Sequence, residues 1–185
     1  AASSSNTIVY RSPEAYYQNG KSLRDSINSN ADKEVILTVN GKEVTQLAFD
    51  VCLSTYSDKQ KAYDELIKQQ AIYQKAEELG LKVTDDELNT YVEYNYNAFT
   101  QGGEESKKCF SEYCRGLGIE ENEYVDLMKS LPTMKEQLLY QKFYQYVNEE
   151  YNKTDKSQSS TEYFNDYVDK LVKNANVQII KDPRK

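Results

Sequence analysis

The sequence predicts a mainly α-helical fold with a small antiparallel β-hairpin that a C-terminal strand completes. Three observations favour this architecture. Apolar residues recur at intervals of three and four over most of the chain, as they do on the buried face of a helix. An Asn40-Gly41 pair, a strong signal for a hairpin turn, divides two short segments. A short apolar segment, residues 177–180, then ends the patterned part of the chain.

The hairpin is predicted over residues 34–44. Val35, Leu37 and Val39 alternate along the first strand, and the chain returns after the Asn40-Gly41 turn. An isolated hairpin is only marginally stable in water, so it needs a further strand. The C-terminal apolar segment is the obvious third strand, and it would bring the end of the chain back to the hairpin.

Helices are predicted to follow the hairpin. Thr45 is the expected N-cap of the first helix, Gly80 ends the long second helix, and Pro132 breaks or kinks the later pattern. Thr84 and Glu87 have the spacing of a capping box and open another helix. The predicted helical stripes lie in residues 47–53, 59–79, 88–99, 109–117, 124–131, 134–147 and 164–175.

The N-terminal segment is polar and weakly patterned, and we interpret it as an arm or tether. Residues 7–10 are predicted as a short strand and residues 13–27 as a helix interrupted by Gly20. The predicted organisation is an arm at residues 1–33, a domain at residues 34–180 with a polar linker at 152–160, and a tail at 181–185.

Composition excludes several functions. The chain has 30 acidic and 23 basic residues, a net charge of −7, so nucleic acid and anionic membrane surfaces are not expected partners. Histidine is absent, which removes the usual general base and the commonest metal ligand, and we predict no metal and no cofactor. Cys52, Cys109 and Cys114 are odd in number and are predicted to be small core residues.

Motifs that could carry chemistry have structural explanations. The acidic residues at 85–87 and 120–123 stand where helices begin, and negative charge there complements the helix dipole. They lack the spacing of a calcium loop. The Gly102-Gly103 pair, and Gly116 with Gly118, lack the strand context of a phosphate-binding loop and are predicted to be helix stops.

The order of these motifs resembles the N-terminal chaperone domain of SurA, which also flanks the catalytic module of PrsA-like foldases. The resemblance is carried by residues 39–49, 76–88, 117–124 and 164–180, in that order and spacing. It implies a helical peptide-binding fold, related to the chaperone domain of trigger factor, that binds unfolded or exported polypeptides outside the cytoplasm without ATP.

The resemblance also indicates what this chain lacks. Many members of the family insert a parvulin prolyl isomerase module before the last helix, and such a module needs about 90 residues, an ordinary size for a small domain. Only the polar linker stands at that position here. We therefore predict a relative of PpiC-type peptidyl-prolyl isomerases that is not an enzyme.

The start of the sequence suggests an exported protein. The chain begins Ala-Ala-Ser-Ser-Ser-Asn without Met, which suits a tether after a removed export signal and equally suits an arbitrary boundary. We predict an extracytoplasmic location, at the cell surface or in the periplasm, with an N-terminal lipid anchor as the only link to a membrane.

An excess of tyrosine and methionine gives the candidate binding residues. The chain has 17 tyrosines, and the number of aromatic residues on its predicted helices exceeds what one helical stripe can bury. Exposed tyrosine and adaptable methionine suit a surface that accepts many apolar segments. The alternative is that these residues fill the core of a tyrosine-rich chain. The candidates are Tyr91, Tyr94, Tyr96, Phe99, Met128, Met134, Tyr140, Phe143 and Tyr144.

Two other functions stay open from the sequence. The first is a component of a peptidyl-prolyl isomerase-related foldase. The second is a homo-oligomeric structural or assembly protein that uses the same groove, for example a homodimer formed by exchange of the arm or the last helix.

Overall fold

The computed structural model describes residues 12–56 and 58–185, and it has the predicted fold class. It is mainly helical, with eight α-helices and one three-stranded antiparallel sheet in the described residues. The strand predicted at residues 7–10 lies outside the described residues.

The elements follow one another in an order close to the predicted one. They are α1 (Pro13–Asn28), β1 (Val35–Val39), β2 (Lys42–Thr45), α2 (Gln46–Tyr56), α3 (Lys59–Glu78), α4 (Asp85–Thr100), α5 (Glu104–Leu117), α6 (Tyr124–Ser130), α7 (Pro132–Tyr151), α8 (Ser160–Lys173) and β3 (Val177–Ile179). A single 3₁₀ turn, Glu121–Glu123, precedes α6.

The sheet confirms the predicted hairpin and its third strand. β1 lies in the middle, antiparallel to β2 on one side and to β3 on the other. Asn40 and Gly41 make the turn with φ angles of 52° and 81°, the left-handed conformation that Asn and Gly adopt most readily. The end of the chain therefore returns to the hairpin, as the sequence predicts.

Side-chain amides connect this turn to the helices. The Asn40 amide donates to Gln74 Oε1 on α3 at 2.9 Å and accepts from the Asn176 backbone N–H at 2.8 Å. Gln74, which is 8% exposed, donates in turn to the Val39 carbonyl at 2.8 Å. The network satisfies a buried amide and joins the hairpin, α3 and the start of β3.

Most helix ends lie where the sequence predicts them. Gly80, with φ of 75°, ends α3 and donates to the Glu77 carbonyl, as in a Schellman motif. Thr84 and Glu87 form the predicted capping box of α4. Pro132 is the first residue of α7, so it starts a new helix instead of kinking an old one.

Three clusters of buried side chains form the core. One lies between the sheet, α2 and α3, and a second lies where α3, α7 and α8 meet. The third fills the space between α4, α5 and α6. α3 contributes to the first two clusters, so this long helix connects them. The three cysteines are buried, as expected of core residues.

The segment predicted as an interrupted helix forms one continuous helix, α1, that packs along α5. Gly20 lies inside α1, and the prediction that it interrupts the helix is wrong. A Cβ at Gly20 would lie 2.2 Å from the Tyr113 carbonyl oxygen, and one at Gly116 would lie 2.1 Å from the Tyr17 carbonyl oxygen. The two glycines therefore let the backbones of α1 and α5 touch.

Gly116 is also not a helix stop. It lies inside α5, and only Gly118 has the left-handed conformation of a cap, with φ of 73°. The sequence cannot separate a glycine that ends a helix from one that lets a second helix approach, because the approaching helix is distant in sequence.

We expect Gly116→Ala to lower the free energy of unfolding by about 3 kcal/mol, the upper end of the cost of overpacking. The added methyl would meet the α1 backbone, which cannot move aside as a flexible side chain would. Urea denaturation followed by circular dichroism measures the effect. Ser111→Ala, on the exposed side of α5, is the control and should change stability by less than about 0.5 kcal/mol. Equal stability of both variants would contradict the proposed backbone contact.

We expect Asn40→Gly to lower the free energy of unfolding by about 2 kcal/mol, because the buried Gln74 amide loses its partner. Glycine keeps the left-handed turn, so the substitution isolates the side-chain network. Asn30→Gly is a matched control, since Asn30 has a φ of 58° and is exposed. The same urea titration measures both variants. A loss no larger than that of Asn30→Gly would show that the network adds no stability.

Candidate functional site

A groove runs between α2 and the first turns of α7. It consists of two cavities of about 410 and 240 Å³ that share Val51 and Thr55 on α2 and Thr133 and Gln137 on α7. Because the same four residues line both cavities, the two spaces adjoin and form one groove. Clefts of a few hundred Å³ are typical binding sites in proteins.

The larger cavity lies against α3. Residues of α2 form one wall, residues of α7 the other, and residues of α3 the floor. The apolar surface comes chiefly from α2, and polar amides are interspersed. The contributing side chains include Leu47, Ala48, Val51, Cys52, Tyr56, Leu66, Gln69, Gln70, Tyr73, Glu136 and Gln137.

The smaller cavity lies over α1. Asn19, Ser22, Leu23 and Ser26 of α1 form its floor. Two methionines from the other side of the groove, and a tyrosine of α5, close it. These side chains are Met128, Met134 and Tyr113.

α2 can line a groove and fill the core at once because apolar residues surround most of its circumference. Phe49 and Cys52 are nearly fully buried and pack against the sheet and α3. Ala48 and Val51 are only partly buried and line the groove. The sequence showed this run of apolar residues, but a run does not tell which members lack a partner inside the chain.

The ionisable groups on the groove are acidic. Asp32, Glu43 and Glu136 line the larger cavity, and Asp50 lines the smaller one. No lysine or arginine is among the residues that line these two cavities in the described part of the chain. Asp50 already accepts hydrogen bonds from Ser26 Oγ at 2.6 Å and Gln46 Nε2 at 2.7 Å.

Glu136 has an unusual environment. Burial raises the pKa of its carboxyl group, and no opposing cause lowers it. Across the described residues, no hydrogen bond or ion pair to this carboxylate is found in the structure. The Glu136 carboxyl group therefore lines the larger cavity with no cation beside it among the described residues, and its oxygens are not among the buried atoms left without a partner.

The potential nucleophiles of the groove are kept protonated. Burial, and then the charges of Glu65 and Glu136, raise the pKa of the Cys52 thiol to about 12. Burial and the same two carboxylates raise the pKa of the Tyr73 hydroxyl. A thiol with so high a pKa carries almost no thiolate near neutral pH, and only the thiolate is a good nucleophile.

Tyrosines continue the groove at one end. Tyr56, at the end of α2, lines the larger cavity and is 40% exposed. Burial raises the pKa of Tyr140 on α7, and Glu65, Tyr56 and Tyr144 lie near enough to raise it further. Tyr144 is 41% exposed. Tyr56 and Tyr140 are therefore near enough to interact electrostatically, although Tyr140 and Tyr144 line neither cavity.

The structure divides the predicted binding residues. Met128 and Met134 line the groove, although only 3% of Met128 is exposed. Tyr140 and Tyr144 line neither cavity of the groove, and the rings of both pack against Phe164 of α8.

The remaining candidates lie elsewhere. Phe143 is fully buried between α7 and α8. Tyr96 and Phe99 pack against Phe110 in the core of the α4–α6 side. The Tyr91 hydroxyl bridges Gln137 and Gln141 behind the groove wall, and Tyr94 is 71% exposed on α4. These five residues do not line the groove.

Sequence reasoning missed the α2 and α3 residues of the groove. Val51 and Tyr73 lie within the predicted helical segments 47–53 and 59–79, Tyr56 lies between those segments, and none of the three was among the predicted binding residues. The available signal was the width of the α2 stripe, since apolar residues at 47, 48, 49, 51, 52 and 53 cover more than one face of a helix.

The acidic clusters at helix starts have the structural role that the sequence predicted. Glu87 completes the capping box of α4 and pairs with Lys142 at 2.5 Å, and this ion pair and the Thr84 backbone lower its pKa. Glu123 accepts from the Glu120 backbone N–H at 2.7 Å. The described residues contain no group of three or more potential metal ligands.

No helix within the described ranges combines the length and apolar character needed to cross a membrane.

Comparison with known families finds one match. A family model described as the SurA-like N-terminal domain matches residues 52–143, from the middle of α2 to the middle of α7. The matched segment therefore includes most of the groove. No parvulin domain is detected in the chain. Searches of curated proteins and of solved structures found no match.

We expect Glu136→Gln to stabilise the chain at pH 7. The folded state raises the pKa of Glu136 above its ordinary value of 4.5, so it binds this proton more tightly than the unfolded chain does. The ionised group consequently costs stability at neutral pH, and this cost disappears as the pH falls through the raised pKa towards 4.5.

Urea denaturation at pH 7 and near pH 4 measures this effect. The gain from Glu136→Gln should be present at the higher pH and shrink at the lower one. Glu149→Gln, on an exposed position of the same helix, is the control and should change stability little at either pH. A destabilising Glu136→Gln at pH 7 would mean that the carboxylate has a partner in the fold.

Proposed function

This chain carries a SurA-like N-terminal domain, and from that premise we propose that it is an ATP-independent chaperone-like module that binds unfolded polypeptide in the groove between α2 and α7. The family is chaperone-like, and its N-terminal domain is a non-catalytic module. The observation that carries the proposal is the groove itself, which has an apolar wall on α2 and more than half of whose lining residues lie within the matched segment.

The size of the groove suits an extended peptide. Micromolar affinity corresponds to about −8 kcal/mol. At about 25 cal/mol per Å² of buried apolar surface, and before the cost of association, such affinity needs several hundred Å². Two adjoining cavities of about 410 and 240 Å³ can take several side chains of an extended segment.

The chemistry of the lining supports binding to many sequences. Met128 and Met134 are unbranched and flexible, so they can adapt to apolar side chains of different shapes. The amides of Gln69, Gln70 and Gln137 can donate to and accept from the backbone of a bound segment. Contacts of this kind depend on the peptide backbone and on apolar bulk, and so require no particular sequence.

The same lining supports binding without catalysis. The chain has no histidine, and the thiol and phenol that border the groove have raised pKa values. In the family that this chain resembles, a separate parvulin module is expected to carry the prolyl isomerase activity. No parvulin domain is detected in this chain. We therefore propose a binding protein and not a foldase enzyme.

The location follows from the family. SurA-like domains are typically extracytoplasmic, and we propose the same location for this chain. The N-terminal lipid anchor stays a prediction, as does dimerisation by exchange of the arm or α8. Light scattering of mass against protein concentration would test the dimer.

We expect the purified protein to suppress aggregation of a chemically denatured reporter enzyme at stoichiometric ratios and without ATP. Light scattering after dilution of the denatured enzyme measures this activity. Serum albumin at the same concentration is the control for nonspecific protein effects. Unchanged scattering in the presence of the protein would refute the chaperone proposal.

We expect Val51→Ser to weaken peptide binding about five- to tenfold, because it removes apolar surface from both cavities. Fluorescence anisotropy with a labelled unstructured peptide measures the change, and circular dichroism checks the fold. Tyr94→Ser removes an exposed ring on α4, outside the groove, and should leave the affinity for the peptide unchanged. If Tyr94→Ser weakened binding and Val51→Ser did not, the binding site would lie on α4 and not in the groove.

A further inference from the structure

Building on the proposed function, we propose that the groove prefers polypeptide segments in which a lysine or arginine is flanked by apolar residues, and that Glu136 holds the cation. The chemical class of the bound segment is then defined by charge as well as by apolar content.

The charge of the groove is one-sided. Glu136 stands in the wall of the larger cavity, and Asp32 and Glu43 lie on the same cavity. No cationic side chain lines either cavity in the described part of the chain, although the chain has 23 lysines and arginines in all. A bound segment with a positive charge would meet attraction there, and one with a negative charge would meet repulsion.

Glu136 differs from carboxylates on the neighbouring helices α3 and α4. Glu87 pairs with Lys142 at 2.5 Å, and Glu65 pairs with Lys68 at 3.4 Å. Glu136 is more deeply desolvated than an ordinary surface carboxylate, yet no described residue supplies a cation or a hydrogen-bond donor to it. A partly desolvated carboxylate gains more from a charge-assisted hydrogen bond than an exposed one, and a cationic side chain in the groove would supply such a bond.

The neighbours of Glu136 suit the rest of a lysine or arginine side chain. Tyr56 and Tyr73 line the same cavity, and the faces of aromatic rings attract cations. Ala48 and Val51 offer apolar contact for the methylene stem. Apolar residues on either side of the cation would occupy the remaining surface of the groove.

A metal ion is a poorer occupant. Calcium and magnesium need several oxygen ligands around one point. The described residues hold no group of three or more His, Cys, Asp or Glu that could bind one. Glu136 therefore fits a single organic cation better than it fits an inorganic one.

Three labelled unstructured peptides test the proposal. They are identical except at one central position, flanked by leucine and valine, which is Arg, Gln or Glu. Fluorescence anisotropy gives the dissociation constant of each for the full chain at low and at physiological salt. We expect the Arg peptide to bind about tenfold more tightly than the Gln peptide and the Glu peptide to bind most weakly. Added salt should reduce the preference for Arg.

Two variants identify the group responsible. Glu136→Gln should reduce the preference for the Arg peptide over the Gln peptide to within about twofold, while Glu149→Gln, on the exposed side of α7, should preserve it. Circular dichroism and the urea midpoint confirm that both variants are folded. Affinity of Glu136→Gln for the Gln peptide should stay close to that of the unmodified chain.

The outcomes separate the two proposals. If no peptide binds, the chaperone function itself is overturned. Equal binding of the Arg and Gln peptides would leave that function standing and overturn the preference for cations. A preference for Arg that survives in Glu136→Gln would also overturn the inference, because another group would then hold the cation.

Discussion

The groove depends on the contact between the backbones of α1 and α5. At Gly20 and Gly116 the two helices approach so closely that no side chain fits between them. α1 is also tied to α2, since Ser26 donates to Asp50 at 2.6 Å and the Leu47 N–H donates to the Ala31 carbonyl just beyond α1. α1 therefore sets how far α2 stands from α5, and it forms the floor of the smaller cavity.

Local signals in the sequence predicted most of the fold. The Asn40-Gly41 turn, the Thr84–Glu87 capping box and the C′ position of Gly80 depend only on nearby residues, so a single sequence shows them. The α1–α5 contact is different, because Gly20 and Gly116 are distant in sequence and each has meaning only beside the other helix. Treated separately, each glycine predicts a break in a helix, and both of those predictions were wrong.

The binding site was less predictable for a related reason. A helical stripe identifies apolar residues, but the packing of other helices decides which of them face a groove and which face the core. Met134 and Phe143 belong to one predicted stripe on α7, yet the first lines the smaller cavity and the second is fully buried against α8. Val51 shows the opposite case, since it was not among the predicted binding residues and yet lines both cavities.

The unpaired carboxylate of Glu136 connects the stability of the fold to binding. A lysine within reach on a neighbouring helix, as Lys142 is for Glu87, would relieve its desolvation in the empty groove. With such a lysine in place, a cationic ligand would gain no new ion pair at that position. Because no lysine or arginine lines the groove beside Glu136, a ligand that brings a cation there would offset part of the cost of its desolvation. A ligand that does so would bind the folded chain alone and stabilise it by mass action, so the cost of burying Glu136 and the proposed affinity for a cationic segment have one physical origin.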